Sequence, residues 1–186
     1  MARMNVEVRL ARPATDATGV AAIYRAAVET SAASFETSAP DPREMADRMC
    51  RGLTRAPWLV AVSDAEVVAF AYAAPHRDRP AYRWSVDLSA YARESHRGRG
   101  IGRSLYDRLL PLLERQGFAN AYAGITLPNP ASVFLHEGIG MKLIGVYERV
   151  GWKHGAWHDV AWYGMRLAEP PVDRGGRPIE PRPVNG

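Results

Sequence analysis

From Tyr82 to Tyr91 the chain alternates without a break. Tyr82, Trp84, Val86, Leu88 and Ala90 point one way, and Arg83, Ser85, Asp87, Ser89 and Tyr91 the other. A period of two predicts a strand over "AYRWSVDLSAYA" with one apolar and one polar face. A second alternating stretch, "MNVEVRLARP", predicts a first strand with Val6, Val8 and Leu10 on one side. The apolar runs "WLVAVS" and "VVAFAYAAP", joined by "DAE", predict a hairpin. Helical periods follow "ATDATG", where Val20, Ile23, Ala27 and Val28 make a stripe and Asp16 or Thr15 is the expected cap. Asp41-Pro42 with Glu44 starts a second helix through Met45 and Met49. A third carries Ile101, Leu105, Leu109, Leu112 and Leu113, with a kink expected at Pro111 and a glycine cap at Gly117. "ANAYAGIT" reads as a strand. Asn129 and Pro130 open a short helix. "MKLIGVYERVG" and "WHDVAWYGMRL" close the pattern as two strands.

The order is strand, two helices, three strands, helix, strand, helix, two strands. Its hairpins predict an α/β (α+β) fold with a mixed, mostly antiparallel sheet and helices on its faces. With 186 residues, 47% of them hydrophobic, residues 1–168 suffice for one domain. From Glu169 the chain turns rich in proline, glycine and arginine, which predicts a C-terminal tail over 169–186, mobile unless a partner holds it.

Composition removes several classes. The lone Cys50 allows no internal disulfide and no cysteine-rich zinc site. Its place beside Met49 predicts a buried, inert thiol. No signal-peptide pattern and no run long enough to span a membrane is present, so the expectation is a cytoplasmic protein with no membrane partner. A net charge of +4 suits an anionic small ligand as well as a nucleic acid.

The strongest motif is "HRGRGIGRS". Gly98, Gly100 and Gly102 lie at alternate positions where the long strand runs into the Ile101 helix. The spacing fails the dinucleotide fingerprint G-x-G-x-x-G, and no Gly-Lys-Ser/Thr follows to make a P-loop. What remains is glycine backbone that a ligand can approach closely, at a helix start that aims its positive dipole end the same way, with Arg97, Arg99 and Arg103 adding charge. On these residues alone, a pyrophosphate cradle and a flexible turn with solvated arginines stand level.

The run R97-G-R-G100-I-G102 after a long strand resembles the acetyl-CoA motif of the GNAT superfamily of N-acetyltransferases. The segments "TSAASFETSAP", "RDRPAYRWSVDLSAYA" and "ITLPNPASVFLHEGIGMKLIGVYERVGWKHGAWHDVAWYGMRL" are similar to its phosphinothricin N-acetyltransferase branch, up to about Leu167. The resemblance implies a sheet of about seven strands, acetyl-CoA as cosubstrate, and an α-amino acceptor of the phosphinothricin or methionine sulfoximine type. It also implies a homodimer. It places the pantetheine arm along the strand end at Leu88, Ala90, Tyr91 and Ala92. The pyrophosphate falls on Arg97, Gly98, Arg99, Gly100, Ile101, Gly102, Arg103 and Ser104, with Asn129 and Ser132 near the arm. Phe35, Thr37, Arg77, Arg79 and Tyr82 fall on the substrate side, where an arginine fork suits a carboxylate or phosphinate.

Acetyl transfer to an amine needs a proton acceptor, an aimed thioester and an acid for the leaving thiolate. Asp87 is the candidate base, because an acid within a sheet calls for a partner or a purpose. The branch usually has glutamate there, so the carboxylate here stands back by about 1.5 Å and a bridging water enters the picture. A solvated acid on an open face is the alternative. His136, one helical turn past Ser132, is the second candidate, able either to protonate the thiolate or to accept the amine proton, against a packed histidine that holds its helix. No zinc helix is formed by "HEGIG", so no metal is expected. Other readings stay open: an acetyltransferase for another amine such as a protein N-terminus or a polyamine, an acyl-CoA sensor without turnover, and a nucleic-acid contact at the arginine-glycine turn, which predicts aromatic residues and a wider basic surface than these confined charges make.

Overall fold

The computed structural model describes residues 6–184. Met4 and Asn5, which the alternation puts in the first strand, lie outside them. The elements are β1 (Glu7–Leu10), α1 (Pro13–Thr30), α2 (Pro42–Leu53), β2 (Trp58–Ser63), β3 (Glu66–Pro75), β4 (Ser85–Ala92), α3 (Ile101–Gln116), β5 (Asn120–Thr126), α4 (Pro130–Gly138), β6 (Lys142–Lys153) and β7 (Ala156–Arg166). They form one seven-stranded sheet ordered β1-β2-β3-β4-β5-β7-β6. Every pairing is antiparallel except β4 with β5, which α3 joins as a crossover.

Each sheet face buries its own core. Leu105, Tyr106, Leu109 and Leu113 of α3 pack on one face with Leu59, Ala71, Val86 and Leu88. Val20, Tyr24 and Val28 of α1, with Met45 and Met49 of α2, pack on the other against Val60 and Phe70. The expected α1 stripe of Val20, Ile23, Ala27 and Val28 is buried throughout. Asp41 caps α2 by accepting from the Glu44 N–H at 2.8 Å. Asn129 caps α4 by accepting from the Ser132 N–H at 3.1 Å.

Four expectations need correction. Neither Asp16 nor Thr15 is the first cap residue: α1 begins at Pro13, and the Asp16 carboxylate reaches back to the Arg12 N–H at 2.6 Å while pairing with Arg9. The strand expected from Ala81 starts at Ser85, because Pro80–Tyr82 close a 3-10 turn. Cys50 is exposed, since Met45 and Met49 define the buried stripe of α2 and the next residue rotates about 100° toward solvent. The tail through residue 184 is seated rather than loose. Gln116 exchanges backbone and side-chain hydrogen bonds with Arg182, the Trp84 indole donates to the Ile179 carbonyl, and Arg83 pairs with Glu180. A polar segment that cannot build a core can still be held when its backbone groups find fixed partners.

Candidate functional site

The parallel pair β4 and β5 sets the site. Their ladder covers only Ser85–Asp87 against Asn120–Tyr122. Beyond Asp87, β4 continues to Ala92 paired with β3 alone, and β5 continues to Thr126 paired with β7 alone. The strands part there, and the edge of Leu88–Ala92 that faces β5 has backbone groups with no ladder to join. Helices α3 and α4 begin past the carboxyl ends of these two strands, where open α/β sheets take their ligands.

The turn into α3 is built for close approach. Gly98 (φ +70°) and Gly100 (φ +77°) hold left-handed conformations, and a Cβ at either would meet nothing within 4 Å. Glycine tolerates that backbone and leaves the space empty. Gly100 is the cap residue of α3, and no side chain caps the helix, so the first N–H groups of α3 have no side-chain cap acceptor. Gly102 serves helix packing instead. A Cβ there would meet Leu135 at 3.0 Å, so its smallness lets α3 lie against α4. Arg103 is likewise turned to α4, donating to the Gly138 carbonyl at 2.7 Å and pairing with Asp107. Arg97 reaches the Ala92 carbonyl at 3.4 Å, over the strand end, and Ser104 bonds back to Gly100. Leu88, Ala90 and Ala92 pack toward α3, whereas the Tyr91 ring turns to Tyr24 and Phe70 on the opposite face.

Asp87 is the last ladder residue before the strands part. Its carboxylate meets His76 Nδ1 at 2.6 Å. Burial pushes the carboxyl above its ordinary value, and the hydrogen bond from His76 pulls the other way without cancelling it. His76 follows the end of β3, and its N–H bonds the Ser85 carbonyl. It continues the face of Phe70, Tyr72 and Ala74, which stand opposite Tyr91, Ser89 and Asp87. In the linear pattern this histidine has the look of a loop residue after Pro75. The period of two, carried one step past that proline, reaches it, but the register that joins it to Asp87 is not local. Around it lie the rings of Tyr82, Tyr122 and Trp162, and the Arg77 guanidinium sits 5.5 Å over the Trp162 ring. Arg77 and Arg79 both line a cleft of about 400 Å³ with Arg55, Arg83 and Glu180 of the tail.

His136 is only 4% exposed and both its ring nitrogens are engaged. Nδ1 lies 2.7 Å from the Ser132 carbonyl, which can only accept, so Nδ1 carries the proton. Nε2 is then the acceptor, and the buried Tyr106 hydroxyl donates to it at 3.0 Å. Burial lowers the pKa of the imidazole and keeps it neutral. This geometry offers no free nitrogen to a thiolate. His136→Ala is expected to cost about 2–4 kcal/mol in urea unfolding, since it empties a packed site and strands two buried polar groups.

The α1–α2 loop is tied to the β6–β7 hairpin. Lys153 is buried and its ammonium donates to the Val28 and Ser34 carbonyls, both at 2.6 Å, while burial lowers its pKa. Phe35 lies against Gly151, where any side chain would collide with its ring. Thr37 is exposed on the same loop. Among the described residues, no cluster suited to a metal ion occurs, and no helix is long and apolar enough to cross a membrane.

Comparison with known proteins matches residues 20–141 to the acetyltransferase (GNAT) family, and the chain belongs to that family. It is 40% identical to the phosphinothricin N-acetyltransferase of Streptomyces viridochromogenes over 95% of this chain and 96% of that one. It is 31% identical to the L-methionine sulfoximine/L-methionine sulfone acetyltransferase of Salmonella typhimurium over 83% of this chain and 91% of the relative. Among solved structures, a phosphinothricin acetyltransferase from Sinorhizobium meliloti in complex with AcCoA superposes with a TM-score of 0.87, at 34% identity and 95% coverage of both chains.

Proposed function

We propose that this protein transfers the acetyl group of acetyl-CoA to the α-amino group of a small amino-acid-like substrate of the phosphinothricin or methionine sulfoximine type. The observation that carries the reading is the parting of β4 from β5 beside an uncapped, glycine-lined helix start. Open main-chain donors along Leu88–Ala92 suit the amides of a pantetheine arm, and the first N–H groups of α3 suit its pyrophosphate. Asn129 and Ser132 flank that arm at the start of α4. The thioester is thereby aimed at the hydrogen-bonded Asp87–His76 pair, toward which the amine's proton leaves. Tyr82 and Arg77 stand beside that carboxylate on the acceptor side, and Phe35 and Thr37 lie on a loop that closes the same face. His136, held by Ser132 and Tyr106, braces α4 against α3.

The test is thiol release from acetyl-CoA with a panel of amines. Release with phosphinothricin, methionine sulfoximine or methionine sulfone, and little with polyamines or peptide N-termini, is the expected result. Binding of acetyl-CoA with no release on any amine would leave a sensor instead.

A homodimer and a cytoplasmic location belong to the same reading. The edge strand β6 exposes Leu143, Ile144, Val146, Tyr147, Val150 and Trp152, the last 60% exposed, an apolar row that a lone edge strand rarely carries. Light scattering is expected to give twice the 20.5 kDa chain mass, and Ile144→Asp with Trp152→Asp to give the monomer.

A further inference from the structure

We propose that His76, oriented by Asp87, is the group that takes the proton from the substrate ammonium, so that the catalytic base of this enzyme is an imidazole rather than a carboxylate. The inference rests on the acetyl-transfer reading and assigns the proton's acceptor within it.

Geometry decides which atom does this. The Asp87 carboxylate oxygen lies 2.6 Å from His76 Nδ1. An ionised carboxylate only accepts, so Nδ1 bears the hydrogen and Nε2 keeps the lone pair. The carboxylate on the far side of the ring then stabilises the imidazolium that forms, the role a buried aspartate has behind any catalytic histidine. Asp87 alone is poorly placed to act directly. It is an aspartate with a short arm, and one of its oxygens is committed to the ring. The ring itself is held by Tyr122 at 4.5 Å and by Tyr82 and Trp162 at 5.8 and 5.9 Å. Five observations therefore coincide at the apex where β4 leaves β5: a half-buried acid, an imidazole bonded to it, an aromatic surround, an adjacent cation in Arg77, and the strand edge along which the thioester is proposed to run.

In the step, the ammonium gives one proton to His76 Nε2. The freed nitrogen pair forms the C–N bond at the thioester carbon. The C–S bond breaks with its electron pair going to sulfur. The nitrogen's second proton ends on that sulfur, giving free coenzyme A, and His76 returns its proton to solvent. One amide, one thiol and one released proton balance the reaction.

The charged and titratable groups facing the pair are Arg77 beside it, Tyr82, Tyr122 on β5 and Tyr72 on β3. Arginine stays protonated throughout the working range, and phenols as a class titrate far above neutrality. Neither kind of side chain takes up the substrate's proton near neutral pH, which leaves the His76–Asp87 pair as its acceptor.

His76→Gln is expected to lower kcat at pH 7 by roughly 10²–10⁴-fold while acetyl-CoA affinity stays unchanged. Rate should return as pH rises and the amine deprotonates unaided. Wild-type kcat at pH 7 in this variant overturns the proposal. So does a His76→Gln, Asp87→Asn double variant whose loss is the product of the two single losses, because residues acting as a unit are not additive. Nitrogen-15 spectra of the wild-type ring, recorded without substrate, give a test that no folding defect can confuse. A protonated Nδ1 with a bare Nε2 is expected, and the opposite tautomer overturns the assignment. If the wild type releases no thiol with any amine, the acetyl-transfer reading falls by itself, and the tautomer still judges the pair.

Discussion

Gly100→Val is expected to weaken acetyl-CoA binding by roughly 10–10³-fold, read by calorimetry against the wild type. Each hydrogen bond from a backbone N–H to a charged phosphate oxygen contributes about 1.5–3 kcal/mol, and about 1.4 kcal/mol is tenfold in affinity. Gly100 precedes the first free N–H groups of α3, and the space at its Cα is empty. Valine fills that space with two methyl groups where the phosphate must come close. It also forces a β-branched residue into φ +77°, which adds strain of about 1–2 kcal/mol to the turn. Gly100→Ala separates the two effects. It shares most of the strain and little of the bulk, so its loss of affinity should be smaller while its melting temperature falls by a similar amount. Unchanged affinity in the valine variant removes the cradle and with it the aim of the thioester.

Asp87→Asn should lower kcat by roughly 10²–10³-fold and leave the melting temperature at pH 7 equal or higher. The two halves of the prediction have one cause. Burial raises the Asp87 carboxyl above its ordinary value, so the folded protein holds that proton more firmly than the unfolded chain. A group shifted this way lends stability at pH below its unfolded value, near 3.9, and that stability is lost as pH rises through the higher folded value. At pH 7 the ionised carboxylate is a burden on the fold. Asparagine keeps the shape and an oxygen for His76 Nδ1 without the charge, which relieves the burden and removes the anion that supports an imidazolium. Activity has the matching sign. It needs the carboxylate ionised, so its acid limb lies above the ordinary carboxylate range, and in Asp87→Asn the limb that belongs to Asp87 disappears. A large fall in melting temperature with kcat intact would make Asp87 a structural residue.

Both residues stand out in the sequence for the same kind of reason. The alternation that puts Asp87 on a polar face, and the glycines that follow the strand, are patterns within a few neighbouring positions. So are the capping pairs Asp41-Pro42 and Asn129-Pro130, which the structure places at helix starts. Other site features are illegible in the chain because each depends on a partner far along it. His76 follows a proline and reads as loop until the β3–β4 register sets it diagonally across from Asp87. His136 reads as a candidate proton donor or acceptor, and nothing near it in the chain announces that α3 brings Tyr106 against Nε2, thirty residues away in sequence. Lys153 reads as a hairpin residue until it closes on carbonyls of α1 and the following loop.

The linear pattern by itself therefore determined the order of elements, the antiparallel character of the sheet, the glycine-lined helix start and the acid on the strand before it, since periodicity and capping act over two to four residues. Only the tertiary structure decided where β4 leaves β5, which histidine meets the acid and which is walled in, and that the tail is seated against Gln116 and Trp84. Those outcomes are set by strand register and helix packing, where the interacting groups are distant in the chain and no local spacing encodes which of them will touch.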